Sequence, residues 1–274
     1  MHFQTCDVRN YSDQVALFKL ALSRYGRIDH AIANAGVIEQ GNWFDPDLSI
    51  ETVEQAPTTL TLDVNLKGVL YLSRIAAVYL AYDKTTADDK SLTLVSSVAG
   101  FIESQGLFLY QASKHGVLGL LRTLRLYLPD FFKGVRVNAI CPSLTLTGMV
   151  KDLKDEWINS GLAVNKPSDV ANVIASVMAA GPGVAVGALR SEESDDEGRP
   201  TSLRGMRSYG NINWGQVEQE YGLNGRSLYV EGGRAWDIEE RLDRTRPLWL
   251  GWSPNKRLAE AQTNLEHHGI RKRN

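Results

Sequence analysis

The sequence predicts an α/β fold with a doubly wound parallel sheet, and two observations lead to that prediction. Short apolar runs, each the length of a buried strand, alternate with longer stretches whose apolar residues recur at helical spacing. This alternation continues from the first residues to about residue 180, which is typical of parallel strands joined by right-handed crossover helices. The 274 residues are enough for one large domain of this class.

The predicted elements follow one another in a regular order. Four apolar runs are predicted to be strands: 30–33, 92–95, 135–140 and 227–230. Three helices are predicted from apolar residues at helical spacing: 13–25, about 59–82 and about 109–128. A shorter run at the start of the chain ends at a turn over residues 7–10. The last two helices fall between successive strands, as crossover connections in a parallel sheet require.

The chain is expected to hold one domain over residues 1–240. An acidic run at 191–198 lies in a stretch around 187–210 that we expect to be a flexible, solvated insertion. Residues 241–274 are expected to form a carboxy-terminal extension with a basic end.

The composition argues against several classes of protein. Thirty basic and thirty-two acidic residues leave a formal net charge of −2, so nothing indicates nucleic acid or a membrane as partner. Cys6 and Cys141 are too few for a disulfide framework and favour a reducing compartment. No metal-ligand cluster accompanies His267 and His268. We see no run of about 18 apolar residues and no signal peptide, and therefore expect a cytoplasmic protein without metal.

A phenol and an ammonium group stand at a spacing that suits proton transfer. Tyr110 and Lys114 are four residues apart on a predicted helix, which places both on one helix face. A neighbouring ammonium favours the phenolate and so lowers the pKa of the phenol. Ser97 follows the apolar run 92–95, and its hydroxyl can bind the same alcohol or ketone oxygen. Together these groups can move a proton while a cofactor moves a hydride.

These residues belong to a larger set of motifs in a fixed order. The set comprises Cys6-Asp7-Val8, Asn34-Ala35-Gly36, Asp63-Val64-Asn65, Ser97, Tyr110 with Lys114, and residues 142–149. In order and spacing it resembles the classical short-chain dehydrogenase/reductase family, over roughly residues 1–233. Phrases around Tyr110 and Asn138 are most similar to the NAD-dependent 15-hydroxyprostaglandin dehydrogenase branch. The resemblance implies a Rossmann-like sheet, NAD or NADP as cofactor, and a homodimer or homotetramer.

The resemblance also implies catalytic roles at four positions. Tyr110 would be the proton donor or acceptor, and Ser97 would orient the substrate oxygen. Lys114 would lower the pKa of Tyr110 and bind the nicotinamide ribose. Asn65 would hold the water that links Lys114 to solvent.

Four further positions are implied to bind the cofactor beside Tyr110 and Lys114. Asp7 would lie by the adenine and Asn34 by the adenine ribose. Thr145 and Thr147 would lie by the nicotinamide carboxamide and the phosphates.

Three features depart from the family pattern. The first strand and Gly-rich turn of the family are missing, so we expect a sheet that lacks the first β-α-β unit, with residue 1 opening at the third family strand. Ser143 stands where the family usually has Gly. Leu107 replaces a Gln that contacts substrate in the prostaglandin enzymes, which argues against carrying over their substrate.

Two hypotheses about function remain open at this point. One is an NAD(P)-dependent oxidoreductase for a secondary alcohol or ketone, of the kind found in secondary metabolism. The apolar residues expected around its pocket favour an apolar substrate: Trp43, Phe44, Phe101, Phe108, Leu153 and Trp157. The other is a catalytically impaired relative that serves as a binding or assembly module, since the Gly-rich turn is missing.

Overall fold

The computed structural model describes residues 1–82, 88–151, 154–182 and 222–268. Its α-helices are α1 (Tyr11–Tyr25), α2 (Leu60–Ala81), α3 (Phe108–Phe131), α4 (Lys154–Asn159), α5 (Pro167–Ala179), α6 (Glu239–Leu250) and α7 (Trp252–His268). Its strands are β1 (His30–Ala33), β2 (Ser91–Val95), β3 (Arg136–Pro142), β4 (Ser227–Glu231) and β5 (Arg234–Asp237). The acidic stretch predicted around 187–210 lies outside the described residues.

The five strands form one sheet in the order β1-β2-β3-β4-β5. The first four run parallel, and β5 returns antiparallel to β4. Because parallel strands end at the same edge, the loops after β1, β2 and β3 meet at one edge of the sheet. The predicted α/β fold class is therefore confirmed.

Helices cover the two faces of the sheet through separate apolar clusters. In β3, Val137, Ala139 and Cys141 belong to the cluster formed with α1, α2 and α3. Ile140 points to the opposite face and packs in the cluster that contains Val173 of α5. The alternation along a strand thus assigns successive residues to opposite layers, as a doubly wound sheet requires.

Helix α2 contains a local irregularity that concerns the site. A first turn, Leu60–Leu62, leads into a π-helical turn, Asp63–Lys67, and then into a regular α-helix, Gly68–Ala81. Among the described helices, Leu60–Ala81 is the one long and apolar enough to span a bilayer by length and composition. Lys67 and Arg74 interrupt it, so it is not an unbroken run of about 18 apolar residues. Nearly half of its most apolar window is buried inside the protein, which is typical of a core helix.

Several sequence predictions need correction. Residues 1–7 form no strand, and no described strand pairs with the outer side of β1, so they have no ladder to join. Strand β5 was not predicted, nor were α4, α5 and the two helices of the carboxy-terminal region. The boundary expected after residue 240 falls inside α6, where Glu239 forms ion pairs with Arg122 and Arg125 of α3.

Candidate active site

Three of the predicted catalytic side chains meet at the edge where the parallel strands end. Ser97 follows β2 and caps a short 3-10 turn, Val98–Gly100, through a hydrogen bond from the Ala99 N–H at 3.2 Å. Tyr110 lies in the first turn of α3, and its phenol is close enough to the Ser97 hydroxyl for that group to lower its pKa. Lys114 follows one turn later on the same helix, so sheet and helix together determine the arrangement.

The Lys114 ammonium is buried against the sheet. Its side chain is 5% exposed, and Nζ donates a hydrogen bond of 3.0 Å to the Val95 carbonyl at the end of β2. Nζ lies 5.5 Å from the centroid of the Tyr110 ring. Burial lowers the pKa of Lys114 to about 8, and the nearby Cys141 opposes that shift. An ammonium has three donors, so this geometry leaves it able to bind further oxygens.

The pKa of Tyr110 is raised, whereas the sequence predicted a lowered value. Burial of the phenol is the larger cause, and the neighbouring Ser97 side chain acts in the opposite direction. The prediction was wrong in direction because it considered the charge of Lys114 and not the desolvation of the phenolate. The phenol is therefore protonated at neutral pH, which is the form that can donate a proton to a carbonyl oxygen.

Asn65 lies in the π-helical turn of α2 and is fully buried. Its Oδ1 accepts a hydrogen bond from the Val37 N–H, and its Nδ2 donates to the Val37 carbonyl, both at 2.8 Å. The side chain therefore clamps the loop after β1 to α2. A π-turn inside an α-helix is frequently found at functional sites.

The loop after β1 approaches Lys114 closely at Gly36. A Cβ added at this glycine would lie 3.4 Å from Asn65 Oδ1 and 3.7 Å from Lys114 Nζ. Buried amide and ammonium groups thus converge on a backbone without a side chain. Lys114 Nζ is the donor at this point and has further N–H groups for the hydroxyl oxygens of a nicotinamide ribose, whereas Asn65 Oδ1 is an acceptor that the Val37 N–H already occupies. The ammonium and the open backbone therefore fit the cofactor that the sequence implies.

The two residues predicted to face adenosine lie on the surface. Asn34 follows β1 and is exposed. Asp7 is also exposed and forms an ion pair with Arg9 at 2.6 Å. Hydrogen bonds from Arg9 lower the pKa of Asp7 to about 2. Asn34 lies at the edge of the sheet where β1 ends, whereas Asp7 precedes α1, and the roles of both toward adenosine stay predictions.

Thr145 and Thr147 lie in the loop that leaves β3. The Thr145 hydroxyl donates a hydrogen bond of 3.0 Å to the Ser143 carbonyl, and Thr147 caps the 3-10 turn Gly148–Val150. The structure places this loop after β3, next to the end of β2 where Ser97 stands. Both threonines are therefore at the predicted edge of the sheet.

Sequence reasoning missed Asn165, which holds that loop in place. Its side chain is fully buried and donates to Ser143 Oγ at 3.2 Å and to the Val230 carbonyl at 2.9 Å. Its backbone exchanges hydrogen bonds with Leu144 and Leu146. Ser143, which replaces the usual family glycine, is thus used as a hydrogen-bond partner. Asn165 follows no strand and belongs to no motif, so the sequence carries no signal for it.

Sequence reasoning also missed Glu39, in the loop that Asn65 clamps. Its carboxylate accepts hydrogen bonds from the backbone N–H groups of Leu109 and Tyr110, at 3.2 and 2.7 Å. The loop after β1 is in this way joined to the start of the catalytic helix.

Comparison with known proteins agrees with the geometry of this site. A sequence model described as short chain dehydrogenase matches residues 1–157. The protein belongs to the short-chain dehydrogenase family. The predicted resemblance is thereby confirmed.

Among curated relatives, the short-chain dehydrogenase/reductase prx4 of Penicillium rubens is 28% identical over 252 residues, which is 91% of this chain and 67% of that protein. The short-chain dehydrogenase/reductase ascJ of Acremonium egyptiacum is 38% identical over 177 residues, 65% of this chain and 59% of that protein. The rat 15-hydroxyprostaglandin dehydrogenase [NAD(+)] is 30% identical over 56% of this chain and 52% of its own length. The chain thus spans between about half and two thirds of the length of these relatives.

Solved structures support the fold. The 3-oxoacyl-[acyl-carrier protein] reductase from Brucella melitensis, solved in complex with NAD, superposes with a TM-score of 0.55 at 24% identity. The superposition covers 65% of this chain and 70% of that one. At this identity the likeness shows that the two proteins share a fold.

Proposed function

We propose that the protein is a cytoplasmic NAD(P)-dependent oxidoreductase that interconverts a secondary alcohol and the matching ketone on a fairly apolar small molecule. The observation that carries the proposal is the meeting of Ser97, Tyr110 and Lys114 at the edge where the parallel strands end. Asn65 also supports the proposal, because its hydrogen bond with Val37 holds the loop that lies against Lys114. The membership in the short-chain dehydrogenase family agrees with this chemistry.

Each side chain has a distinct part in the proposed reaction. Lys114, Thr145 and Thr147 would hold the nicotinamide of a bound cofactor, and Asn34 and Asp7 would lie toward its adenosine. The chemistry that such a cofactor would supply is hydride transfer. Ser97 donates a hydrogen bond to the substrate oxygen. Tyr110 gives its proton to that oxygen in ketone reduction and takes it back in alcohol oxidation. Lys114 stabilises the phenolate that remains after the proton has left.

The raised pKa of Tyr110 favours one direction of the reaction. A phenol that stays protonated at neutral pH is ready to donate, whereas alcohol oxidation needs the phenolate. We therefore expect ketone reduction to be the faster direction near pH 7.

Aromatic side chains near Tyr110 support an apolar substrate. Phe108 lies two residues before Tyr110, and its ring meets that of Phe44 edge-on at 4.7 Å. Both rings are exposed to solvent. The relatives include a protein named 5'-hydroxyaverantin dehydrogenase from Dothistroma septosporum, 32% identical over 61% of this chain. From both observations we infer that the substrate is a ketone of the kind made in fungal secondary metabolism, with its carbonyl group beside an apolar ring system.

The experiment is an assay of NADH and NADPH oxidation with a panel of ketones that contrasts aryl ketones with sugars. We expect turnover with aryl ketones and preference for one of the two cofactors. Ser97→Ala should lower kcat by about 10²-fold, because one donor to the developing charge is lost. Ser96→Ala is the matched control. The Ser96 hydroxyl donates a hydrogen bond of 2.9 Å to the Lys114 backbone carbonyl, so its removal should lower stability more than kcat. Binding of cofactor without turnover of any ketone would favour the impaired binding module.

We also infer that the protein forms a homodimer or homotetramer through α2 and α3. Both helices carry large apolar side chains on their exposed sides, including Leu70, Val78, Tyr127 and Phe131. Light scattering at micromolar concentration should give a mass of at least two chains. A monomer mass would contradict the inference.

A further inference from the structure

The helix that carries Tyr110 and Lys114 has no cap of its own. Leu107 is its N-cap residue and provides no side-chain hydrogen bond. The first backbone N–H groups of a helix lack partners within the helix and are usually satisfied by a Ser, Thr, Asp or Asn side chain at the N-cap. In α3 this need arises in the turn that holds the catalytic tyrosine.

A carboxylate distant in sequence meets this need. Glu39 Oε1 accepts from the Leu109 N–H at 3.2 Å, and Oε2 accepts from the Tyr110 N–H at 2.7 Å. These are the two N–H groups that an N-cap side chain would ordinarily satisfy. A negative charge at a helix N-terminus also interacts favourably with the helix dipole.

The loop that carries Glu39 is itself held by two buried side chains of α2. Asn65 forms both hydrogen bonds with Val37, and the Thr61 hydroxyl contacts the Ile38 carbonyl and the Gln40 N–H. Asn65 and Thr61 are fully buried, so the position of the loop is fixed relative to the sheet. Through Glu39, the loop after β1 therefore fixes the position of the first turn of α3.

We propose that Glu39 is a positioning residue that caps α3 and fixes Tyr110 at the distance from substrate and Ser97 that proton transfer requires. This inference rests on the proposed function, since it assigns Glu39 to the site of that reaction. Small displacements of a reacting group are costly: about 1 Å can lower a rate by about 10²-fold. Loss of the cap should thus lower kcat more than it raises the cofactor KM, because Lys114 lies a turn further along α3 and is held by burial and by the Val95 carbonyl.

The first test compares three variants of the full chain by steady-state kinetics. Glu39→Ala should lower kcat about 10²-fold and change the cofactor KM by less than about twofold. Glu39→Gln keeps one oxygen acceptor, and its kcat should be at least about tenfold higher than that of Glu39→Ala. Glu54→Gln is the control, because Glu54 is an exposed carboxylate on a short 3-10 turn away from α3. Equal kcat in Glu39→Ala and Glu54→Gln would overturn the proposal.

The second test does not depend on activity and keeps the two proposals distinguishable. Hydrogen exchange of the Leu109 and Tyr110 amides should be at least about tenfold faster in Glu39→Ala than in Glu54→Gln. Unchanged exchange in Glu39→Ala would overturn the capping role even if the wild-type enzyme is active. A wild-type chain with no turnover but with this loss of amide protection would instead contradict the proposed function and leave Glu39 as the cap of α3.

Discussion

The centre of the sheet and its outer strand differ sharply in how they hold functional residues. Strands β2 and β3 are buried on both faces, and the side chains at their ends are fixed by contacts from several elements. Strand β1 has no described neighbour on its outer side, and Ile32 in its middle is 39% exposed. Ser97, Tyr110 and Lys114 belong to the first region, Asn34 follows the outer strand, and Asp7 lies on the surface just before α1.

The difference shows which side chains are held by other elements of the fold and which are held only by a near neighbour in the sequence. Lys114 is held by burial and by the Val95 carbonyl, which belongs to a different element. Asp7, in contrast, is bound by Arg9, two residues away, on the surface. Exposed ion pairs contribute little because water competes for both partners. Substitutions at the centre should therefore have much larger effects on cofactor binding and rate than substitutions at the outer strand.

The largest of these effects is expected from Lys114→Met, which keeps the aliphatic stem and removes the charge. Cofactor affinity at pH 7 should fall by about tenfold or more, since a charge-assisted contact to the ribose is lost. In the wild-type protein the ammonium is present below a pKa of about 8 and is lost above it. Wild-type affinity should thus decrease as the pH rises through 8, and the variant should show no such decrease.

Nicotinamide fluorescence titrations across this pH range provide the measurement for Lys114. The variant should also need a higher pH for alcohol oxidation, because the phenolate has lost a stabilising cation. Lys19→Met, an exposed lysine on α1, is the matched control. If Lys114→Met matched this control at every pH, Lys114 would have no role in binding.

A smaller effect is expected from Asn165→Ala, which releases the loop after β3. The substitution removes buried hydrogen bonds to Ser143 and Val230, each worth about 1 kcal/mol. The KM for the cofactor should rise about threefold with a smaller change in kcat, because Thr145 and Thr147 lose their fixed position. Asn159→Ala, at the exposed end of α4, is the control for steady-state kinetics. A KM equal to that of the control would show that the loop holds its shape without Asn165.

The smallest effect is expected from Asp7→Asn, on the surface just before α1. Its pKa of about 2 keeps the carboxylate ionised at physiological pH, but the group is exposed and paired locally with Arg9. Cofactor affinity, measured by the same fluorescence titration, should change by less than about twofold. A loss of cofactor affinity of about tenfold would show that the residues on the adenosine side matter as much for binding as those at the centre of the sheet. The proposed difference between the two regions would then be wrong.

A related comparison extends the chain at its outer strand. Adding the first β-α-β unit of a relative before residue 1 would give β1 a neighbour and supply a Gly-rich turn for the pyrophosphate. We expect the extended protein to bind NAD(H) or NADP(H) more tightly than the 274-residue chain. Equal affinity by fluorescence titration would show that the catalytic side of the site provides nearly all of the binding.

The central part of the site could be predicted from the sequence, because helix spacing and strand direction alone determine which of its residues meet. Tyr110 and Lys114 share a helix face by their spacing, and parallel strands bring Ser97 to the same edge. Glu39 could not be predicted in the same way, because it meets Tyr110 across seventy residues of intervening chain. The pKa direction of Tyr110 was missed since burial cannot be read from spacing.

Other elements were missed for local reasons. Gly232 and Gly233, both with positive φ, form the two-residue turn of the β4–β5 hairpin, and this Gly-Gly signal could have revealed β5. Arg234–Asp237 is itself short and carries a charge at each end, so its pattern alone does not indicate a strand. Helix α6 is rich in charged residues and is held by the ion pairs of Glu239 with α3.

Tyr110→Phe tests the central claim most directly, because it removes only the hydroxyl that is assigned the proton transfer. The measurement is kcat for ketone reduction together with cofactor affinity by nicotinamide fluorescence, in the wild-type protein and the variant. The account predicts that kcat falls by about 10²–10⁴-fold while cofactor affinity stays within about twofold. A variant that retained kcat within about threefold of the wild-type value would show that Tyr110 is not the proton donor.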